Sequence, residues 1–249
     1  MSGHYIEFSH VSKTFDRPVL VDVNFHLDAG RTLAIIGRSG VGKSVSLAHI
    51  MGFIKPDEGR VIVAGQDITD FTENELRVIR DKVTMVFQSG ALFDSLTVGE
   101  NILFSLELRK DYNAENKEQV VNGLLSLVDL LEYKDAYPGD LSTGHKRAVA
   151  IARAIASEPE CILYDEPTTM VDPIMVEHVS NLMLRLKNEL KLTAVVVTHD
   201  LDLMYKVADS VVVLDEGRVA YFGPVADLEH SQHPHIQAFL AGDRVVLTS

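Results

Sequence analysis

Apolar positions along this chain come in two rhythms. Short, nearly unbroken runs, Leu33–Ile36, Val83–Phe87, Ile162–Tyr164 and Ala194–Val197, read as strands buried on both faces of a parallel sheet. β-Branched and aromatic residues at short spacing in Tyr5–Phe8 and Val19–Phe25 predict further strands near the start. Arg60–Ile68 reads as a hairpin around Ala64-Gly65, and Val211–Leu214, Glu216-Gly217 and Arg218–Phe222 as a closing hairpin. The second rhythm is helical. It governs Val98–Leu108 and Ala114–Leu131 within a block from Ser89 to Pro138. Pro138-Gly139 breaks that block, and Pro173–Leu192 reads as a long amphipathic helix with proline at its start. Short helices follow Gly223, and a tail runs from Gly242 to Ser249. The pattern predicts one α/β unit over 1–249: a core with a β subdomain in 1–88 and 150–249, and a helical insertion at 89–149.

One junction between a strand and a helix carries chemistry. Leu33–Ile36 leads into Gly37-Arg38-Ser39-Gly40-Val41-Gly42-Lys43-Ser44, and Val45–Met51 then reads as helix. This is the G-x-x-x-x-G-K-S phosphate loop in its required setting. Its glycines let successive backbone N–H groups converge on phosphate oxygens, and the helix that follows turns its positive end to the same anion. Lys43 supplies a point charge for the β- and γ-phosphates, and the Ser44 hydroxyl can ligate Mg²⁺. Arg38 can touch phosphate or point into solvent. A glycine-rich turn ending by chance in Lys-Ser would lack the flanking strand and helix.

A second apolar run ends in paired carboxylates, Cys161-Ile162-Leu163-Tyr164-Asp165-Glu166. Alone, an Asp-Glu at a strand end is an ordinary surface feature. Downstream of a phosphate loop it reads as the Walker B element, with Asp165 holding Mg²⁺ and Glu166 polarising the water that attacks the γ-phosphate. Tyr164 departs from the usual aliphatic residue in that strand.

Composition narrows the setting. With 249 residues, 46% of them hydrophobic, the chain can bury a sizeable core. A net charge of −13, from 36 acidic and 23 basic residues, argues against nucleic-acid partners and anionic lipid surfaces. The single cysteine, Cys161, lies in an apolar run and fits a reducing compartment. Residues 1–10 show no secretion signal, and no apolar run is long enough to span a bilayer. The expectation is a chain soluble by itself that reaches a membrane through a partner. His230, His233 and His235 lack the spacing and cysteine partners of a zinc site.

Taken in order, these motifs resemble those of the nucleotide-binding subunit of ATP-binding-cassette (ABC) transporters, over essentially the whole chain. Further segments match that family. Phe15 stands where the family stacks an aromatic on adenine. Gln88 stands at the Q-loop, which senses Mg²⁺ and the γ-phosphate and couples to the membrane subunit. Leu141-Ser142-Thr143-Gly144-His145 occupies the signature, Thr169–Asp172 the D-loop, and His199 the switch that contacts the γ-phosphate. The resemblance implies a P-loop (RecA-like) core with an antiparallel β subdomain and an inserted helical subdomain. It implies ATP and Mg²⁺ as ligands, with Gly37–Val45, Phe15, Gln88, Ser142 and Gly144 at the nucleotide, Ser44, Gln88 and Asp165 at the metal, and Glu166 and His199 in catalysis. It further implies a homodimer whose signature binds the partner's ATP, integral-membrane permease subunits, and a peripheral place on the cytoplasmic face of the inner membrane. Thr143 and His145 replace a glycine and a glutamine of the family signature, which points to a looser closed dimer. Gln88–Val98, Asp172-Pro173-Ile174 and Phe239–Gly242 are similar to ATPases of lipid transporters of the mammalian-cell-entry (MCE) type, including the Mla phospholipid system. That similarity implies an MCE-type lipid-binding protein in the complex. The alternatives are the ATPase of another ABC importer or exporter, and a nucleotide-gated clamp with little turnover.

Overall fold

The computed structural model describes residues 3–109, 114–231, 236–237 and 240. The predicted tail at Gly242–Ser249, most of the Phe239–Gly242 stretch, and His233 and His235 lie outside them. Strands β1 (Ile6–Thr14) and β2 (Pro18–Leu27) come first, followed by β3 (Thr32–Ile36) and helix α1 (Lys43–Ile50). Then come β4 (Glu58–Val63), β5 (Gln66–Asp67), α2 (Glu73–Arg80) and β6 (Val83–Val86). The insertion holds α3 (Val98–Glu107) and α4 (Lys117–Leu127) and leads to α5 (Thr143–Ala156). The last part alternates β7 (Cys161–Asp165), α6 (Pro173–Leu190), β8 (Thr193–Val197), α7 (Leu201–Val207), β9 (Ser210–Asp215) and β10 (Arg218–Pro224).

Two sheets result. β2-β1-β4-β5 is antiparallel, and its β4–β5 turn puts Ala64 and Gly65 at φ 51° and 74°. Two successive positive-φ residues make the primed turn that matches strand twist. The second sheet has the order β10-β9-β3-β8-β7-β6, parallel except for β10 at its edge. Alternation explains the all-apolar runs. Cys161, Leu163, Val195 and Val197 face the core shared with the antiparallel sheet, while Ile162, Tyr164, Ala194 and Val196 face the core under the helical block. Tyr164 is buried in that second core, which accommodates its ring beside Met183 and Leu186.

The predicted helix over Ala114–Leu131 is shorter than its pattern. A 3-10 turn at Ala114–Asn116 precedes α4, and the chain leaves the helix after Leu127. Asp129 adopts φ 57°, so the α geometry cannot continue through to Leu131. Helix α2 carries no apolar stripe long enough to be read as a period, but its start is encoded by a capping box. Thr72 and Glu75 bond each other's backbone there.

Candidate nucleotide site

Strand register brings the site together. Val197 pairs with both Ile35 and Asp165, so the ends of β3, β7 and β8 lie side by side at one level. Gly37, Glu166 and His199 leave the sheet there, the edge where open parallel sheets bind ligands. Two glycines of the loop are dictated by close approach. At Gly37 (φ 149°) a Cβ would lie 2.4 Å from the Leu214 carbonyl oxygen. At Gly42 (φ 109°) it would lie 2.5 Å from Leu20 Cδ2 and 3.0 Å from the Val19 carbonyl oxygen. The loop is thus wedged between β9 and β2, and α1 starts directly from it.

A cleft of about 730 Å³ opens over the loop. Its wall includes Phe15, Gly37, Arg38, Ser39, Gly40 and Gly42, then Lys43, Ser44 and Val45, and across from them Gln88, Glu166 and His199. Asp165 sits behind Ser44, whose Oγ donates to Asp165 Oδ1 at 3.1 Å. Val41 turns its side chain away and packs against the core of the antiparallel sheet. Ser142 and Gly144 do not line this cleft. Ser142 caps α5, accepting from the His145 backbone N–H at 3.2 Å, and is otherwise exposed. Gly144 is buried against α6, where a Cβ would meet Met175 Cβ at 2.5 Å. Val19 and Thr169 also line the cleft; the sequence places Thr169 in the D-loop but gives it no part at the nucleotide, and it gives Val19 none either.

Polar contacts knit the far wall together. Lys43 Nζ donates to the carbonyls of Gly37 (2.9 Å) and Arg38 (3.2 Å) and lies 3.7 Å from Glu166 Oε1. Glu166 Oε2 accepts from Thr169 Oγ1 at 3.0 Å and meets His199 Nδ1 at 2.8 Å. Glu166 itself adopts φ 49°, a left-handed conformation that costs a non-glycine residue on the order of 1–3 kcal/mol. Strain of this kind aims the carboxylate into the cleft instead of along the strand. Next to it, Thr168 Oγ1 donates to Asp200 Oδ2 at 3.1 Å, tying the segment after Glu166 to the residue after His199. Burial holds the Asp165 carboxyl above its ordinary pKa, against the lowering effect of its Ser44 hydrogen bond; the Glu166 charge adds to the rise and Lys43 opposes it. A half-buried carboxylate beside a hydroxyl, with the Gln88 amide on the cleft wall, offers the hard oxygen donors that Mg²⁺ takes alongside phosphate and water. Among the described residues no cluster of three or more His, Cys, Asp or Glu forms a metal cage of its own.

A phosphate loop after one parallel strand, with an Asp-Glu pair and a histidine ending the neighbouring strands, defines a P-loop nucleoside triphosphatase. Within that class the chain belongs to the ABC transporter family, whose profile matches residues 20–169, and it is an ABC ATPase. It is 37% identical to the methionine import ATP-binding protein MetN 2 of Pseudomonas entomophila, over 97% of this chain and 74% of that protein. It is 39% identical to MetN 1 of Paraburkholderia xenovorans, over 96% of this chain and 70% of that one. Among solved structures it is similar to the dimeric ATP-binding cassette MJ0796 bound to ADP and phosphate (TM-score 0.80, 31% identity, 88% of this chain and 98% of that one). CbiO1 of Clostridium perfringens, part of the transporter complex CbiONQ, superposes with a TM-score of 0.84 at 26% identity, covering 97% of each chain. Both of these sequence relatives are named for methionine import, so the MCE-type kinship expected from Gln88–Val98, Asp172-Pro173-Ile174 and Phe239–Gly242 gains no support from them. The reason is scale: an eleven-residue stretch carries less than a match along 97% of the chain.

Proposed function

We propose that two copies of this chain form the ATP-hydrolysing engine of a membrane importer, docked on the cytoplasmic face of its permease subunits. The observation that carries this reading is the shared level of the β3, β7 and β8 ends, which converges Lys43, Glu166 and His199 on one cleft. ATP would lay its phosphates along Gly37–Ser44, with Phe15 against the adenine; Phe15 is half exposed on the cleft wall. Ser44, Asp165 and Gln88 would hold Mg²⁺, which neutralises charge on the β- and γ-phosphates. Glu166 orients the attacking water and receives its proton, and His199 holds Glu166 in place while facing the γ-phosphate. ATP and water give ADP and phosphate. Ser142 and Gly144 lie off this cleft, so they act on the ATP of a second copy, as the dimeric form of the related cassette supports.

No helix among the described residues is long and apolar enough to cross a membrane, and on this reading the membrane-spanning part is the permease's. Its docking surface is best offered by the segment after Gln88. Phe93 and Phe104 are exposed and stack edge-to-face at 4.8 Å there, and Asn101 bonds the backbone of Phe93, Leu96 and Thr97 to hold the segment's shape. The names of the relatives favour a small solute such as methionine as cargo; the lipid reading rests on the short MCE-like stretches. The intact Glu166–His199 contact favours turnover over a nucleotide-gated clamp. The test is to purify the chain with its membrane partners, identify those partners and the bound small molecules by mass spectrometry, and measure phosphate release. Partners with bound amino acid support import of small solutes, bound phospholipid supports the lipid reading, and a complex that binds ATP without releasing phosphate overturns both.

A further inference from the structure

Helix α5 grips the backbone on both sides of Gln88 through two arginines. Arg153 Nη1 donates to the Ala91 carbonyl at 2.7 Å and Nη2 to the Gly90 carbonyl at 3.1 Å. Its guanidinium also lies 5.8 Å from the Phe93 ring centroid. Arg147, buried on the same helix, donates Nη1 to the Phe87 carbonyl at 3.0 Å. The bonds thus bracket Gln88 on both sides. The turn they grip is wound tight: Gly90 and Ala91 have φ 79° and 47°, and a non-glycine residue in that region is strained. Gly90 rests directly on α5, where a Cβ would lie 3.5 Å from the Lys146 carbonyl and 3.7 Å from Ala150 Cβ. Lys146, Ala150 and Arg153 fall at i, i+4 and i+7, one face of the helix, and Ser142 stands four residues before Lys146 on the same line.

We propose that Arg153 is a positioning residue that makes the Gln88 loop and the signature end of α5 move as one body. It contacts neither the cleft nor Ser142. Its two carbonyl partners lie in the loop that reaches the cleft through Gln88 and the exposed docking segment through Phe93. A permease that shifts Phe93 therefore pulls Arg153, and a rigid helix carries the displacement to Ser142. The inference rests on the reading that a permease docks beside Phe93 and that Ser142 serves a second copy's ATP.

The experiment uses the complex of this chain with its membrane subunits, measuring kcat and KM for ATP, together with ATP binding to the isolated chain. Arg153→Gln removes the paired donors. It should lower kcat of the complex by about three- to thirtyfold, with KM and the isolated chain's affinity unchanged. Arg153→Lys, which keeps one donor for these carbonyls, should recover part of that loss. Ala91→Gly leaves the arginine and the core untouched but relaxes the turn, and should lower kcat in the same direction by less. A kcat for Arg153→Gln within about twofold of wild type overturns the proposal, since that lies below the range of real coupling. A loss that appears in KM or in ATP affinity instead also overturns it. Should Arg153→Gln fail to fold, Ala91→Gly decides, and an unchanged kcat there refutes the proposal. A wild-type complex that hydrolyses ATP no faster than the isolated chain refutes the functional reading itself, before any variant is made.

Discussion

The cleft and the signature end of α5 belong to one active machine, yet the chain finishes only the first. In the cleft the groups nearest the chemistry have partners within the chain: Lys43 on two loop carbonyls and Glu166, Glu166 on Thr169 and His199, Ser44 on Asp165. At the start of α5, Ser142 bonds only the helix it caps and faces outward beside exposed Thr143. Nearby, the D-loop exposes Met170 at 88% and the first turn of α6 exposes Ile174 at 81%, and Met170 is held at φ 61°. A preorganised cleft can wait for nucleotide, because reorganisation there has been completed on folding. A surface of unpartnered polar and apolar groups at a helix start does its work only when something is brought to it. On the proposed reading, the difference assigns ATP binding to one copy and hydrolysis to two.

The largest break of that contrast is Glu166→Gln. The amide keeps the size of the side chain and can still accept from Thr169, but it takes no proton from water. Turnover should fall by roughly 10²–10⁴-fold while ATP still binds. Phosphate release and nucleotide titration on the same preparation check it, and turnover within tenfold of wild type would show that another group serves as base.

Lys43→Ala should affect binding first. Losing a charge-assisted contact to phosphate, worth about 1.5–3 kcal/mol, weakens ATP by roughly ten- to a hundredfold. Calorimetric titration decides, and an unchanged affinity removes Lys43 from the phosphate site. Because Ser142 and Gly144 stand off the cleft, Ser142→Arg should leave the same titration unaltered and yet abolish the ATP-dependent dimer.

How much of this was legible without a structure differs between the two regions. The phosphate loop, the Asp-Glu pair and the closing hairpins are local: a strand, a turn and the residue types at fixed offsets carry them. Convergence is not local. Nothing in the spacing of Gly37, Glu166 and His199 says that β8 lies between β3 and β7, so the common cleft follows only from strand order. Thr169 was legible only as the start of the D-loop, because a lone hydroxyl after a Walker B pair is ordinary until its bond to Glu166 is seen. Helix α2 escaped because its eight residues carry two buried side chains, too few to set a period. The arginines of α5 belong to no motif in the sequence, and only the structure shows them holding the Gln88 loop.

Gly144 sharpens the contrast from the side of stability. Its missing side chain leaves room for the Met175 side chain, and the clashing atom is Met175 Cβ, which no rotamer can move. Gly144→Ala should therefore destabilise the isolated chain by about 1–3 kcal/mol through overpacking. Each kcal/mol is roughly 2–4 °C of thermal midpoint for a chain of this size. Thermal unfolding measures it. An unchanged midpoint would mean that α5 and α6 separate easily, and that Gly144 is there for the partner's nucleotide alone.

The smallest effect, and the one aimed most directly at the unfinished surface, is Thr143→Gly. Thr143 is exposed at the first turn of α5, next to the Ser142 cap, so it contributes little to this chain's own core. What it does contribute is a branched side chain where a second copy's phosphates would approach backbone N–H groups. Glycine removes that bulk and its stiffness, at a cost of less than about 1 kcal/mol to the helix. The ATP-bound dimer should tighten by a few-fold, while ATP binding by the monomer stays as it is, because the cleft lies elsewhere on the chain. Sedimentation with ATP in a Glu166→Gln background gives the dimer fraction. If Thr143→Gly leaves that fraction unchanged or lowers it, the threonine is neutral or makes a favourable contact across the interface. The departure of this signature from the family pattern would then be a specialisation of the closed dimer, not a loosening of it.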